Sequence, residues 1–264
     1  MSTITSVFLE SIGPNKRKPL IYEKKENGWS VLTYTLMFEQ VRFFTLGLYD
    51  LGLRKGDRVT LLSEGRNDWV MSELAVLCAG AINVPVSVRI EEAEDLQFRI
   101  HHSESKIVIV SGRHAHKVID IKERLPYVEK VVILDDHDYN EDYIVKKEQV
   151  METGRKRDEE DEGLFNRLIF SVQDDDIANI CYTSGTTADP KGIMLSHRNY
   201  TANLEQACEL FEVPDYYTTL LILPWDHAFA HTVGIYMLMY NGASMASVEV
   251  GKTMIETTRN VGKN

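Results

Sequence analysis

Apolar residues recur at Met37, Val41, Phe44 and Leu48, spacings of four, three and four that line one face of a helix over Thr35–Leu51. Gly52 follows as a stop. GDRVTLLS then predicts a short strand entered through a turn. Asn67 and Asp68 are placed to cap a helix running to about Cys78, which Gly80 ends. AINVPV predicts a short buried strand, and EEAEDLQFRIHH a helix whose acidic first turn suits the helix dipole. KIVIV and KVVILD predict two further strands, with a helix over RHAHKVIDIKERL between them. Strands and helices thus alternate from Asp57 to Asp135. Such alternation predicts an α/β fold of βαβ units, with largely parallel sheets flanked by helices. No Gly-x-Gly-x-x-Gly follows the first strand, so the dinucleotide fingerprint is missing.

The pattern breaks at about residue 136. HDYNEDY and GRKRDEEDEG are charged and nearly free of apolar residues, which predicts an exposed insertion or mobile loop over about 136–173. From about residue 174 the alternation resumes: strands over IANICYT, GIMLS, TTLLILP and ASMASVEV, a helix over HRNYTANLEQACELF, and a strongly apolar helix over HAFAHTVGIYMLMY. KTMIETTRN begins another helix. Three regions follow, about 1–135, 136–173 and 174–264, with no internal repeat.

The net charge of −11, with no basic stripe, argues against nucleic acid as a partner. A chain this acidic that binds phosphate must do so with local donors. The three cysteines, Cys78, Cys181 and Cys208, lie far apart in the sequence and read as reduced thiols of a cytoplasmic protein. No signal peptide is visible at the start, MSTITSVFLESIG. The longest apolar run in the C-terminal part, VGIYMLMY, falls far short of the ~20 residues of a spanning helix.

Candidate chemistry concentrates at 182–192, YTSGTTADPKG, between two predicted strands. In open α/β sheets ligands bind beyond the carboxyl ends of strands. Thr183, Ser184, Thr186 and Thr187 offer hydroxyls, Gly185 and Gly192 let backbone N–H groups approach a ligand, and Lys191 adds a compact positive charge. That set suits a triphosphate. It is equally the composition of a polar hairpin turn without a ligand. A Walker A loop is excluded, because the order here is Pro190-Lys191-Gly192 and a strand follows. His227 and His231 are spaced as in some zinc proteins, but no Glu follows His227 as the metalloprotease pattern requires. His114 and His116, two apart, share no helix face.

YTSGTTADPKG resembles the phosphate-binding signature Tyr-Thr-Ser-Gly-Thr-Thr-Gly-x-Pro-Lys-Gly of the acyl-adenylate-forming (AMP-binding) enzymes, with Ala188 in place of one glycine. SHRN, LPWDHAF, LTYTLMFEQV, KGDRVTLLS and LAVLCAGAINVPV are similar to further segments of the family. Within it the resemblance is closest to long-chain fatty acyl-CoA ligases. If position 188 needs a positive φ, alanine there costs about 1–2 kcal/mol; if φ is negative, alanine is tolerated.

The resemblance implies a ligase that activates a carboxylic acid with ATP as an acyl-adenylate and transfers the acyl group to coenzyme A. It implies that Thr183, Ser184, Gly185, Thr186, Thr187 and Lys191 surround the β- and γ-phosphates. It further implies that Thr183 helps hold Mg²⁺, and that His227 lines the meeting point of nucleotide and acyl group. The apolar helix from Ala228 to Tyr240 is either a wall of a fatty-acid tunnel or core. The family's Gly-Tyr-Gly-x-Thr-Glu and Tyr-x-Thr-Gly-Asp stretches, and its C-terminal domain with a catalytic lysine, are not in these 264 residues. The expectation is therefore an N-terminal part of the large domain, with no catalytic residue of its own and inactive alone. An adenylation enzyme that loads a carrier protein, or a nucleotide-binding module without chemistry, are the other readings.

Overall fold

The structure, a computed structural model, describes residues 2–25, 28–183 and 190–248. In chain order its elements are α1 (Ile4–Asn15), β1 (Pro19–Lys25), β2 (Gly28–Thr33), α2 (Tyr34–Asp50), β3 (Arg58–Leu62), α3 (Asn67–Cys78), β4 (Ile82–Pro85), α4 (Ala93–His102) and β5 (Ile107–Val110). There follow α5 (Ala115–Ile119), β6 (Lys130–Ile133), β7 (Ile144–Lys146), α6 (Lys147–Glu160), α7 (Leu164–Phe170), β8 (Ile177–Thr183), β9 (Lys191–Ser196) and α8 (His197–Leu210). β10 (Thr218–Leu221), a π-helical segment (Ala230–Tyr236), α9 (Met237–Tyr240) and β11 (Ser244–Ser247) complete the described chain.

Among the described residues the strands form two sheets. The larger has the order β7-β6-β5-β3-β4-β8-β9 and is parallel except for the antiparallel pair β8–β9. The smaller has the order β10-β11-β1-β2, with β1–β2 antiparallel. This is the expected α/β fold with largely parallel sheets. Its cause is visible in the strands. β5 sends Ile107 and Ile109 to one face and Val108 and Val110 to the other, and β6 separates Val132 from Val131 and Ile133 in the same way. Leu96 and Ile100 of α4 and Ala115 and Val118 of α5 cover one face. The opposite face packs on α3, which also touches β1 of the smaller sheet. Every residue of α3 from Trp69 to Cys78 is buried, as a helix lying between two sheets must be.

Helix ends follow local chemistry. Gly52 and Gly80, past the ends of α2 and α3, take φ +94° and +73°, a region that favours glycine. The expected Asn67/Asp68 cap on α3 is replaced. Arg66 holds the N-cap position, and the Asn67 N–H donates to Glu23 Oε2 of β1 at 3.1 Å. The smaller sheet thus supplies the anion at the start of α3. β1 and β2 escape the apolar pattern because only Leu20 and Ile21 of the two strands are buried. The helix expected over RHAHKVIDIKERL is broken into two 3₁₀ turns flanking α5. KTMIETTRN lies outside the described residues.

Residues 136–143 form neither helix nor strand, but the rest of the exposed insertion or mobile loop expected over 136–173 is corrected. It contains β7, paired parallel with β6, and the helices α6 and α7. α6 docks on α2 through backbone proximity, not through large apolar side chains, and so leaves little hydrophobic signal. Val150 and Gly154 are its buried residues. A Cβ built on Gly154 would lie 1.8 Å from the Phe43 carbonyl oxygen, and one on Gly47 would lie 2.0 Å from that of Val150. Ion pairs Arg42–Asp158 at 2.7 Å and Arg157–Asp50 at 3.0 Å flank the contact. Leu164, Phe165 and Ile169 anchor α7 in the main core.

His197, the first residue of α8, is buried and accepts the Ile4 N–H on Nδ1 at 3.3 Å, so it caps α1. Burial pushes its pKa down to about 4, against a smaller opposing pull from Asp176.

Two expectations follow. Gly154→Ala should destabilise the chain by about 1–3 kcal/mol through forced separation of α2 and α6. Gly13→Ala, where a Cβ meets nothing within 4 Å, should be neutral or slightly stabilising. Urea unfolding of both variants checks this. For His197 the folded pKa lies below the unfolded value, so its contribution is complete above about pH 6.5 and declines as pH falls toward 4, by at most about 3 kcal/mol. The slope of the urea midpoint against pH between 6.5 and 4.5 should flatten in His197→Asn.

Candidate functional site

Because β3, β4, β5, β6 and β8 run parallel, their carboxyl ends share one rim of the larger sheet. β8 brings Thr183 to that rim. Thr183 and Lys191 face each other as Cα partners on the β8–β9 ladder, and both are exposed. Ser184, Gly185, Thr186 and Thr187, together with Ala188, lie outside the described residues. The strand end is anchored one residue earlier. The Tyr182 hydroxyl donates to the Arg99 carbonyl of α4 at 3.2 Å and lies 2.9 Å from His102 Nδ1. Burial raises the Tyr182 pKa.

His227 sits in a turn before the π-helical segment. Its N–H donates to the Pro224 carbonyl at 3.2 Å, and its carbonyl accepts the Ala230 N–H at 2.9 Å. Its ring Nδ1 accepts the Phe229 N–H at 3.3 Å. The imidazole therefore caps the start of the helix. With Nδ1 accepting, Nε2 of the neutral ring is the protonated nitrogen. His227 is exposed, so the capping contact leaves part of the ring accessible.

The structure brings Thr183 and His227 onto one cleft of 560 Å³. Its walls come from Pro85–Ser87 past β4, from Cys181–Thr183 of β8, and from the turn Asp226–Ala228. Lys191 does not line it. Cys181 contributes a thiol whose pKa burial pushes up to about 11, which leaves it protonated and a poor nucleophile near neutral pH. Cys78, Cys181 and Cys208 are all free thiols.

His231 does not share a metal with His227. It is completely buried, with its rings packed against Trp69 and Tyr200, whereas His227 is exposed. Among the described residues no group of three or more His, Cys, Asp and Glu is placed to hold a metal ion. The hydroxyl of Thr183 and the carboxylate of Asp226 line the same cleft. Two hard oxygen donors of this kind fit Mg²⁺, which takes its remaining ligands from phosphate and water.

A second group, not expected from the sequence, lies on the same rim. Glu64 follows β3, Ser111 follows β5 and Asp135 follows β6. The Ser111 hydroxyl donates to Glu64 Oε2 at 2.6 Å, and His114 Nε2 lies 3.8 Å from the same oxygen. Arg66 donates to Asp135 Oδ1 at 2.8 Å and to Asp68 at 2.6 Å, and the Gly112 N–H donates to Asp135 Oδ2 at 2.7 Å. Burial pushes Asp135 up, but the Gly112 amide and Arg66 outweigh it and hold the carboxyl below its usual range. Burial is also the main cause of the lowered pKa of His114. The available signal was positional: SEGR, SGRH and LDD each lie at or just past the carboxyl end of a predicted strand.

Among the described residues no helix is long and apolar enough to cross a membrane. The sequence profile of the AMP-binding enzymes matches residues 10–260. A long-chain-fatty-acid–CoA ligase of Xenopus laevis is 26% identical over 259 residues, covering 92% of this chain and 33% of that protein. A long-chain-fatty-acid–CoA ligase of Mycobacterium bovis is 28% identical over 226 residues, covering 82% of this chain and 35% of that protein. The solved N-terminal domain of FACL13 from Mycobacterium tuberculosis superposes with a TM-score of 0.79 at 22% identity, covering 100% of this chain and 61% of that domain's. The chain thus spans about a third of the length of these two curated relatives, 33% and 35%.

Proposed function

The chain belongs to the AMP-binding enzyme family, and from that premise we propose that it supplies the phosphate-binding part of an ATP-dependent acid–thiol ligase. The complete protein would activate a fatty acid and transfer its acyl group to coenzyme A. The fatty-acid element rests on the names of the two ligases to which the chain is similar. The observation that carries the reading is the common cleft of Thr183 and His227 beyond the carboxyl ends of β4 and β8, where open α/β sheets bind ligands.

In the first step a carboxylate oxygen attacks the α-phosphorus of ATP. The bond from that phosphorus to the bridging oxygen breaks, and pyrophosphate leaves with the electron pair. In the second step the sulfur of coenzyme A attacks the acyl carbon, AMP leaves, and the thiol proton goes to solvent. The chain's own part is electrostatic. Thr183 and Lys191, with Ser184, Gly185, Thr186 and Thr187 between them, would bind the β- and γ-phosphates as their charge grows. The proton on His227 Nε2 makes that ring a hydrogen-bond donor toward an acyl or phosphate oxygen. Thr183 and Asp226 would hold Mg²⁺, whose charge would offset part of the negative charge that develops on the phosphates.

Carboxylate-dependent exchange of labelled pyrophosphate into ATP, measured with the complete protein and acids of graded chain length, tests the reading. Thr183→Ala and Lys191→Ala should each slow exchange, by about 100-fold where a transition-state donor is lost. The 264-residue chain alone should exchange at background, because the family's adenine and ribose signatures are not in its sequence. Comparing coenzyme A with a carrier protein as acceptor separates the ligase from the carrier-loading reading. Exchange undiminished in both variants, or none with any acid, would refute the proposal.

A further inference from the structure

The segment that follows the His227 turn is not a regular α-helix. Ala230–Tyr236 is π-helical, between a short α turn at residues 228–229 and α9. Residues five apart stand roughly 140° apart around an α-helix. The i→i+5 bonding of a π-helix brings such residues back toward one face. His231 and Tyr236 are five apart, and both meet the same oxygen of α3. The Tyr236 hydroxyl donates to Glu73 Oε1 at 2.9 Å, and His231 Nδ1 lies 3.1 Å from that oxygen. The Asn83 side-chain amide of β4 donates to it at 3.3 Å. Glu73 and His231 are each 0% exposed, and Tyr236 is 1% exposed.

A carboxyl group with no access to water is a poor choice for filling a core, because an apolar side chain of similar volume packs there with no desolvation penalty. Fixing a register is the best-attested use of such a buried polar group. Here an α register would turn His231 and Tyr236 to different faces, and Glu73 could not meet both. The other end of the contact leads to the site. His231 Nε2 donates to the Trp225 carbonyl at 2.7 Å, which ties down the turn that carries Asp226 and His227. Phe229, just before the segment, and Thr232 and Val233 within it line a largely apolar groove of 470 Å³ against Tyr200, Ala207 and Phe211.

We propose that Glu73 is a positioning residue that enforces the π register of Ala230–Tyr236, and through it sets both the placement of His227 and the shape of the groove beside α8. Resting on the ligase reading, this makes Glu73 a determinant of which acid chain is accepted, although it touches no substrate.

The test compares Glu73→Leu, Glu73→Gln and Tyr236→Phe. Amide hydrogen-bond connectivity of residues 228–240 should change from i→i+5 toward i→i+4 in Glu73→Leu. Emission from Trp225, whose ring packs edge-on to Trp69, should shift with it. Glu73→Gln, which keeps an oxygen acceptor for Tyr236, should retain the π pattern. In the complete protein, Glu73→Leu should change the ratio of kcat/KM for a long and a short acid by at least ten-fold, with the KM for ATP within two-fold of wild type. Glu73→Gln should restore the wild-type ratio. Should Glu73→Leu not fold, Tyr236→Phe, which removes one arm of the contact, should give the same changes in smaller size. An unchanged i→i+5 pattern in whichever of these two variants folds would overturn the proposal. Absence of acid-dependent exchange in the wild type would instead overturn the ligase reading and leave the register result intact.

Discussion

Burial of α3 on every side is the constraint from which the rest of the fold proceeds. On a helix with water on no face, a polar group carries a desolvation cost that a neighbour's hydrogen bond offsets. α3 nevertheless carries Glu73 into the interior and opens its first turn toward Glu23 of β1. The smaller sheet, the larger sheet and the helix after Trp225 must all supply matching groups, and their relative positions are fixed by doing so. Trp69 of α3 meets Trp225 and His231 edge-on, so apolar packing and polar pairing converge on the same turn. That turn is the one bearing His227, so a packing solution in the core reaches the rim of the sheet.

Much of this was legible in the residues, for identifiable reasons. Strands of the larger sheet are apolar on both faces and short, and β3, β4, β5 and β6 stand out as runs bounded by turn residues. α2 declares itself through Met37, Val41, Phe44 and Leu48, all of them buried. α6 did not, because its docking depends on the lack of a side chain at Gly154 and Gly47, and a missing Cβ leaves no hydrophobic period. β1 gives little signal because its partner, β11, lies more than two hundred positions along the chain, and β2 because it is an edge strand with no buried residue.

At the site, the strand-loop-strand stretch around Thr183 and Lys191 was readable from its composition, and His227 from its resemblance to a family segment. Nothing in the sequence announces Glu73. It sits in WVMSELAVLC, where one acidic residue in an apolar helix reads as a solvent-facing position until the second sheet is seen to cover it. His231 drew attention as a metal ligand through its spacing from His227, yet its partners are a carbonyl and a buried carboxyl. Spacing along a helix presumes α geometry, and that presumption fails over Ala230–Tyr236.

The pairing of Thr183 with Lys191 on an antiparallel ladder has a thermodynamic consequence for whatever the intervening residues bind. Bringing the two ends of a loop together lowers its entropy, and the penalty grows with its length. Here hydrogen bonds of β8 and β9, from Ile177 and Ser196 to the last pair, meet that penalty while the chain folds. A ligand arriving later finds the mouth of the loop already closed to a cross-strand distance, so its binding energy does not have to meet that penalty.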